Sequence, residues 1–149
     1  ITMNKTKIRL AIILGLLFSI NVSAQKTYLL ESEIPTEIAN YVSRNFHEHR
    51  IKKIIKTQNN NKKEYEIKLN RNTELEFDEN FKIKEIESKK GISRDLLPSK
   101  INDYLRTHYS DTKVTEWELN EQDQRIELKN GIRIQFDLAG NLLKSDSNL

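Results

Sequence analysis

A pattern of 13 residues occurs twice in this chain, and this duplication restricts the folds available to it. Residues 34–46 read IPTEIANYVSRNF, and residues 97–109 read LPSKINDYLRTHY at a constant offset of 63. In both segments a proline lies near the start, and apolar residues recur at i, i+3, i+4 and i+8, on one face of a helix. Because each helix is only about three turns long, it needs another surface to pack on.

The residues that follow each helix alternate between apolar and charged, which is the period of a β-strand. In the second half, this alternation flanks Asn130-Gly131, a dipeptide typical of a two-residue hairpin turn. In the first half, it flanks a polar turn at residues 70–72. The offset there is 59, which aligns Phe77 with Phe136. Such alternation indicates antiparallel strands with one apolar and one solvated face.

Each half is therefore predicted to form a helix followed by three antiparallel strands and a short fourth strand. The first strands are predicted at residues 50–58 and 113–121. The low-complexity run QNNNKK, residues 58–63, is predicted to be a longer loop of the first half, and residues 87–95 are predicted to connect the halves.

Two Phe-Asp pairs are predicted to occupy equivalent places in the two halves. Phe77 and Phe136 should lie in the core beneath the helices, and Trp117 shares its strand parity with an apolar neighbour and should be buried too. The residues Asp137-Leu138-Ala139-Gly140 have Asp and Gly at the preferred positions of a type I turn. Asp78 opens a turn without that glycine, so a looser turn or another type is expected.

Residues 1–24 are predicted to be a secretory signal peptide. Three basic residues precede an apolar stretch at residues 10–20, and Val22-Ser23-Ala24 offers a cleavage site before Gln25. The apolar stretch is too short for a comfortable membrane span, and no stable span is expected after cleavage. The remaining chain is predicted to be one domain at residues 25–145.

Removal of this segment changes the charge argument. The chain has 25 Lys+Arg and 22 Asp+Glu, and the first 24 residues hold three basic and no acidic side chains, so 25 − 3 = 22 basic residues face 22 acidic ones. The basic isoelectric point is therefore no indication of a nucleic-acid partner or an anionic membrane. The absence of Cys excludes disulfides, a thiol nucleophile and thiolate metal sites.

A secretory signal followed by two copies of Leu/Ile-Pro, amphipathic helix, antiparallel strands and Phe-Asp turn resembles the PepSY-like, beta-lactamase-inhibitor-like family of periplasmic proteins. The resemblance covers about residues 28–145, with repeats at about 34–86 and 97–145. It implies an α+β fold of two layers, in which two helices pack on one face of a single curved antiparallel sheet. It also implies a periplasmic or secreted location. The inhibitor for which the fold is named holds its target enzyme with the open face of the sheet.

The charged residues on the predicted open face are the candidate binding surface. They are Glu66, Lys68, Glu74, Glu76, Arg125, Glu127, Lys129, Arg133 and Gln135. Mixed charge is also typical of a merely solvated surface, and interfaces favour Trp, Tyr and Arg. Because the named inhibitor has an aromatic-rich binding face, the composition here does not predict beta-lactamase inhibition.

No pattern in the sequence predicts catalysis, a metal site or a cofactor. The stretch HEHR, residues 47–50, puts two histidines at i and i+2, which share a face only on a strand, and no third ligand is evident. Asp78 and Asp137 are explained by turns and are not embedded in a calcium loop. A G-x-S-x-G motif is absent, and four glycines provide no phosphate-binding loop.

The sequence therefore predicts an exported, non-enzymatic binding module that engages a protein or peptide through the open sheet face or the hairpin loops. The alternative is a periplasmic sensor that responds to a small ligand or a metal ion, which HEHR and the acidic strands would favour.

Overall fold

The computed structural model describes residues 24–60 and 62–146, and these form two α-helices and one antiparallel sheet of nine strands. The strands follow one another across the sheet in chain order. They are β1 (Gln25–Tyr28), β2 (Ile51–Asn59), β3 (Lys62–Leu69), β4 (Thr73–Phe77), β5 (Ile83–Ile92), β6 (Val114–Leu119), β7 (Asp123–Leu128), β8 (Arg133–Asp137) and β9 (Leu142–Asp146). The helices are α1 (Thr36–Asn45) and α2 (Ser99–His108), and short 3-10 turns precede them at Glu31–Glu33 and Arg94–Leu96.

The two helices begin and end in the same way, as the repeated pattern predicts. Pro35 and Pro98 are the residues just before the helices, with φ of −53° and −52°. Their fixed φ suits a helix start, where the missing N–H has no intrahelical partner to lose. The apolar stripes of both helices pack into one core cluster with the strands.

Phe77 and Phe136 occupy equivalent core sites, which confirms the prediction. Their relative exposures are 1% and 0%. The ring of Tyr41 meets Phe77 edge-on at 5.4 Å between centroids, and Tyr104 meets Phe136 in the same way at 5.4 Å. Trp117 is also buried, and its Nε1 donates to Gln124 Oε1 at 3.1 Å. Each helix is therefore fixed on its own half of the sheet by a matched aromatic pair.

The prediction that residues 87–95 connect the halves is wrong for its first part, because β5 extends to Ile92. This strand pairs with β4 from Ile83 to Ser88 and with β6 through Glu85, Ile86, Glu87 and Ile92. It is the last strand of repeat 1 and the strand that leads into repeat 2. Strand β1 was not predicted, since its four residues are all exposed and show no alternation.

The prediction of a long loop at residues 58–63 is also wrong. Strands β2 and β3 extend into this run, so they have nine and eight residues, whereas β6 and β7 have six each. The additional residues of repeat 1 thus lengthen a hairpin instead of forming a loop.

The turn at Asp78 is not looser than its counterpart, contrary to expectation. In both turns the fourth residue donates its N–H to the carbonyl of the aspartate at 3.0 Å, and the aspartate Oδ1 accepts further backbone N–H groups. Phe81 takes the place of Gly140 and has the same left-handed backbone, with φ of 62° against 80°. Contact of the Phe81 ring with Tyr65, at 5.6 Å between centroids, helps to offset the strain of that conformation.

Neither described helix is long and apolar enough to cross a membrane. The signal-peptide prediction for residues 1–24 falls outside the described residues except for Ala24.

Candidate functional site

The two helices cover one face of the sheet and leave the other face uncovered by any described element. Side chains alternate between these faces along each strand, and the cross-strand register decides which residues share a row. Ile67 pairs with Leu75 on the core side, for example, whereas Glu66 pairs with Glu76 on the open side. The open face is therefore built from the charged positions of the strands, as predicted.

Six glutamates lie side by side in the middle of the open face, on β4, β5 and β6. In one row Glu85 pairs with Glu76 on one side and with Glu118 on the other. In the next row Glu87 pairs with Glu74 and with Glu116. We call this set the glutamate ladder: Glu74, Glu76, Glu85, Glu87, Glu116 and Glu118. Like charges directly opposite each other destabilise a sheet, so the ladder is costly to the fold.

Cations flank the ladder but do not neutralise its centre. On one side, Lys68 Nζ lies 2.7 Å from carboxylate oxygens of both Glu66 and Glu74. On the other side, Arg125 lies 3.7 Å from Glu118, and Arg133 lies 3.0 Å from the carboxylate of Glu127. The remaining ladder residues, Glu76, Glu85, Glu87 and Glu116, have no ion-pair partner within the described part of the chain.

The electrostatics of the ladder follow from this arrangement. Burial first, and then the neighbouring carboxylates with Glu76 foremost, together raise the pKa of Glu85 to about 7. The pKa values of Glu76 and Glu116 are raised as well, by burial first and then by nearby glutamates. The two carboxylates on either side of Lys68 raise the pKa of its ammonium group. The centre of the open face thus favours a cation, or a proton where no cation is present.

The predicted surface residues are brought together with one exception. Eight of them lie on β3, β4, β7 and β8, whereas Lys129 is exposed in the turn after β7. Sequence reasoning missed the four central residues of the ladder, Glu85, Glu87, Glu116 and Glu118. The alternation of glutamate with Ile86 and with Trp117 was the signal that could have identified them.

An exposed aromatic residue on the same face was also missed. Tyr28 on β1 pairs with Ile55, which itself pairs with Glu66, so these residues share the open face. Tyr28 is 65% exposed, and Lys53 Nζ lies 4.6 Å from the centroid of its ring. This corner provides the type of aromatic contact that protein interfaces favour.

The histidines do not form a metal centre with other side chains. Residues 47–50 lie in the segment between α1 and β2, and His108 is the last residue of α2. Within the described ranges, no group of three or more His, Asp or Glu side chains is arranged to hold a metal ion.

Comparison with known proteins gives matches at the level of family and fold. A family model described as "Putative beta-lactamase-inhibitor-like, PepSY-like" matches residues 20–85 and again residues 84–144. No curated protein matches the sequence.

Solved structures share the fold at low sequence identity. One is described as a "putative periplasmic protein" of the DUF2874 family from Bacteroides vulgatus, with a TM-score of 0.78 and 22% identity, covering 83% of this chain and 98% of the other. Another, from Bacteroides thetaiotaomicron, is described as a "putative calcium-regulated periplasmic protein", with a TM-score of 0.77 and 23% identity, covering 82% and 97%. A third, a "putative periplasmic protein of unknown function" from Bacteroides vulgatus, has a TM-score of 0.76 and 22% identity, covering 83% and 100%.

Proposed function

Because the chain belongs to the PepSY-like, beta-lactamase-inhibitor-like family, we propose that it is a periplasmic, non-enzymatic binding module that engages a protein partner through the open sheet face. The descriptions of the similar structures from Bacteroides and the signal-like segment at residues 1–24 support the location. The family description, which refers to an inhibitor of another protein, supports a protein partner.

The observation that carries the proposal is the glutamate ladder. Six carboxylates stand in two rows on three adjacent strands, and the four without ion-pair partners include the central pair, Glu85 and Glu87. Their mutual repulsion lowers stability, and a partner with Lys or Arg side chains would remove that cost on binding. The partner surface is therefore a cationic segment laid across β4, β5 and β6, with Tyr28 available as an aromatic contact at one end.

A defined peptide tests this proposal directly. A lysine-rich peptide and a glutamate-rich peptide of the same length would be titrated into the protein, and binding measured by calorimetry at low and at physiological salt. We expect the lysine-rich peptide to bind, to bind more weakly as salt is raised, and to shift the amide resonances of β4, β5 and β6.

Charge-reversed variants locate the site and identify the natural partner. Glu85→Lys with Glu116→Lys should abolish peptide binding, whereas Glu37→Lys, on the exposed start of α1, should not. Affinity capture from periplasmic extract would then compare wild type with the double variant. Equal binding of the peptide by wild type and the double variant would refute the open face as the site.

A second candidate is a sensor that responds to calcium, which the description of the Bacteroides thetaiotaomicron structure favours. Carboxylates are the ligands that Ca²⁺ prefers, and six of them stand in the ladder. Because no group of three or more acidic side chains among the described residues is arranged to hold a metal ion, calcium binding requires these side chains to rearrange. Thermal melts with millimolar Ca²⁺ or Mg²⁺ discriminate the two functions. A large rise in melting temperature that is specific to Ca²⁺, and that Glu85→Gln removes, would support the sensor.

A further inference from the structure

A groove lies on the helix side of repeat 1, away from the open sheet face. It is bounded by the first 3-10 turn, by α1 and by the start of β2, and it has a volume of about 570 Å³. Its apolar wall includes Ile34, Val42, Phe46 and Ile51, of which Val42 and Phe46 are buried. The groove therefore has an apolar wall that runs to the end of α1, with polar residues beside it.

Repeat 2 shows what occupies the equivalent place when the chain fills it from within. Arg94, in the second 3-10 turn, is half-buried and reaches the end of α2. Its Nη2 donates to the carbonyl oxygen of Tyr109 and to that of Thr112, the latter at 2.7 Å. It also lies 3.5 Å from the carbonyl oxygen of Ser110. A guanidinium thus binds carbonyl groups of the turn that follows α2.

Repeat 1 lacks this internal arginine. At the offset of 63, Arg94 corresponds to Glu31, whose exposed carboxylate accepts hydrogen bonds and has no donor that could replace the guanidinium. The side chains at two positions of the groove wall are also smaller in repeat 1, where Ala39 corresponds to Asn102 and Ser43 corresponds to Arg106. These exchanges leave the groove of repeat 1 open at the position that the guanidinium fills in repeat 2.

The acceptors that a guanidinium needs are present in the open groove. The carbonyl groups that Arg94 contacts in repeat 2 correspond to those of Phe46, His47 and His49. His49 also lines the groove, and its Nδ1 is buried without a hydrogen-bond partner among residues 24–60 and 62–146. Burial, and then the charge of Arg71, lower the pKa of His49, so its imidazole is neutral at pH 7 and has one accepting nitrogen.

We propose that the groove of repeat 1 is a second binding site that takes an arginine side chain of a partner protein, with its guanidinium in the position that Arg94 occupies in repeat 2. The aliphatic stem packs on Val42 and Phe46, and the planar group donates to the carbonyl oxygens of the turn that follows α1. Arg50 and Glu31, which carry opposite charges, also line the groove. A lysine fits less well, because its ammonium group cannot present a planar fork of donors.

The test uses N-acetyl-arginine methylamide as the probe and the uncharged citrulline analogue, which has nearly the same shape, as its control. Both would be titrated into the protein and followed by amide and histidine resonances. We expect the arginine probe to shift residues 46–51 and to bind at least about tenfold more tightly than the citrulline probe. Equal binding of the two probes would overturn the proposal.

A variant that imitates repeat 2 completes the test. Glu31→Arg should fill the groove from within, raise the melting temperature and weaken probe binding at least about tenfold. Ser32→Arg, an exposed neighbour in the same turn, should bind the probe like wild type. If Glu31→Arg does not fold, Ser43→Arg narrows the same groove and should weaken the probe. Unchanged probe binding in a folded Glu31→Arg or Ser43→Arg protein refutes the site, and this result is independent of the glutamate ladder.

Discussion

Replacement of Glu85 by Gln should stabilise this protein at neutral and alkaline pH. Glu85 stands between Glu76 and Glu118 in one row of the ladder, and Glu87 lies beside it on the same strand. Glutamine has nearly the same size and can also form hydrogen bonds, but it carries no charge. The substitution therefore removes the negative charge that burial and the neighbouring carboxylates destabilise. The variant therefore isolates the electrostatic cost of the ladder.

The size of the effect follows from the pKa of Glu85, which is raised from 4.5 to about 7. The folded state holds this proton more tightly than the unfolded state, so the stability associated with it is complete below pH 4.5 and is lost as the pH rises through about 7. The free energy of unfolding that is lost when Glu85 ionises has an upper bound of about 3 kcal/mol. Because Glu85 is only partly buried, solvent screening reduces this loss to about 1 kcal/mol. That free energy corresponds to a shift of about 4 °C in melting temperature for a domain of this size.

Thermal melts of wild type and Glu85→Gln between pH 4 and pH 8.5 measure this effect. Wild type should lose stability as the pH rises, and the variant should lose less, so the melting temperatures separate by about 4 °C at pH 8. The variant keeps part of the slope, because the pKa values of Glu76 and Glu116 are raised too. Glu79→Gln, an exposed turn residue, is the matched control. A Glu85→Gln protein that melts below wild type at pH 8 would refute the reasoning.

Four further substitutions test the repeat and its turns. Phe77→Ala and Phe136→Ala should each cost about 3–5 kcal/mol, a large part of the total stability of a domain, and urea unfolding at 37 °C measures the loss. Asp137→Asn should lower the melting temperature slightly at pH 7 and flatten its fall in acid, since hydrogen bonds from Asn141 lower the pKa of Asp137. Gly140→Ala should destabilise the protein by about 1 kcal/mol, because φ is 80° there and a Cβ would lie 3.1 Å from Lys100 Cβ. An alanine variant at either Phe that unfolds like wild type would show that the aromatic pairs do not hold the helices.

The helices and the core were predictable because their signals are local. The spacing of Ile38 and Val42, the prolines, and the alternation around Phe77 and Phe136 each depend on neighbours within one element. Two copies of the same signals also reinforced each other. The α+β fold, with both helices on one face of an antiparallel sheet, follows from those signals.

The centre of the open face was not predictable in the same way. Its residues meet only through the register of β4, β5 and β6, and that register shifts at Glu76/Phe77, Glu87/Ile92 and Val114/Glu116. The alternation of Glu85, Ile86 and Glu87, and of Glu116, Trp117 and Glu118, marks each strand, but bulges make the pairing between strands impossible to read from the sequence. Strand β1 was missed for another reason, since its position depends on pairing with β2 and leaves no burial pattern of its own.

Strand β5 has a consequence for how the molecule folds. The two regions that match the family model overlap at residues 84–85, which lie within this strand. The boundary between the two sequence repeats therefore falls inside a strand and not in a loop. A chain cut at that point would leave β4 or β6 with an unpaired edge and would expose part of the shared core. We therefore expect the two repeats to fold together and not as independent units. Unfolding by denaturant should occur in one cooperative transition in which helix and sheet signals of both halves are lost together.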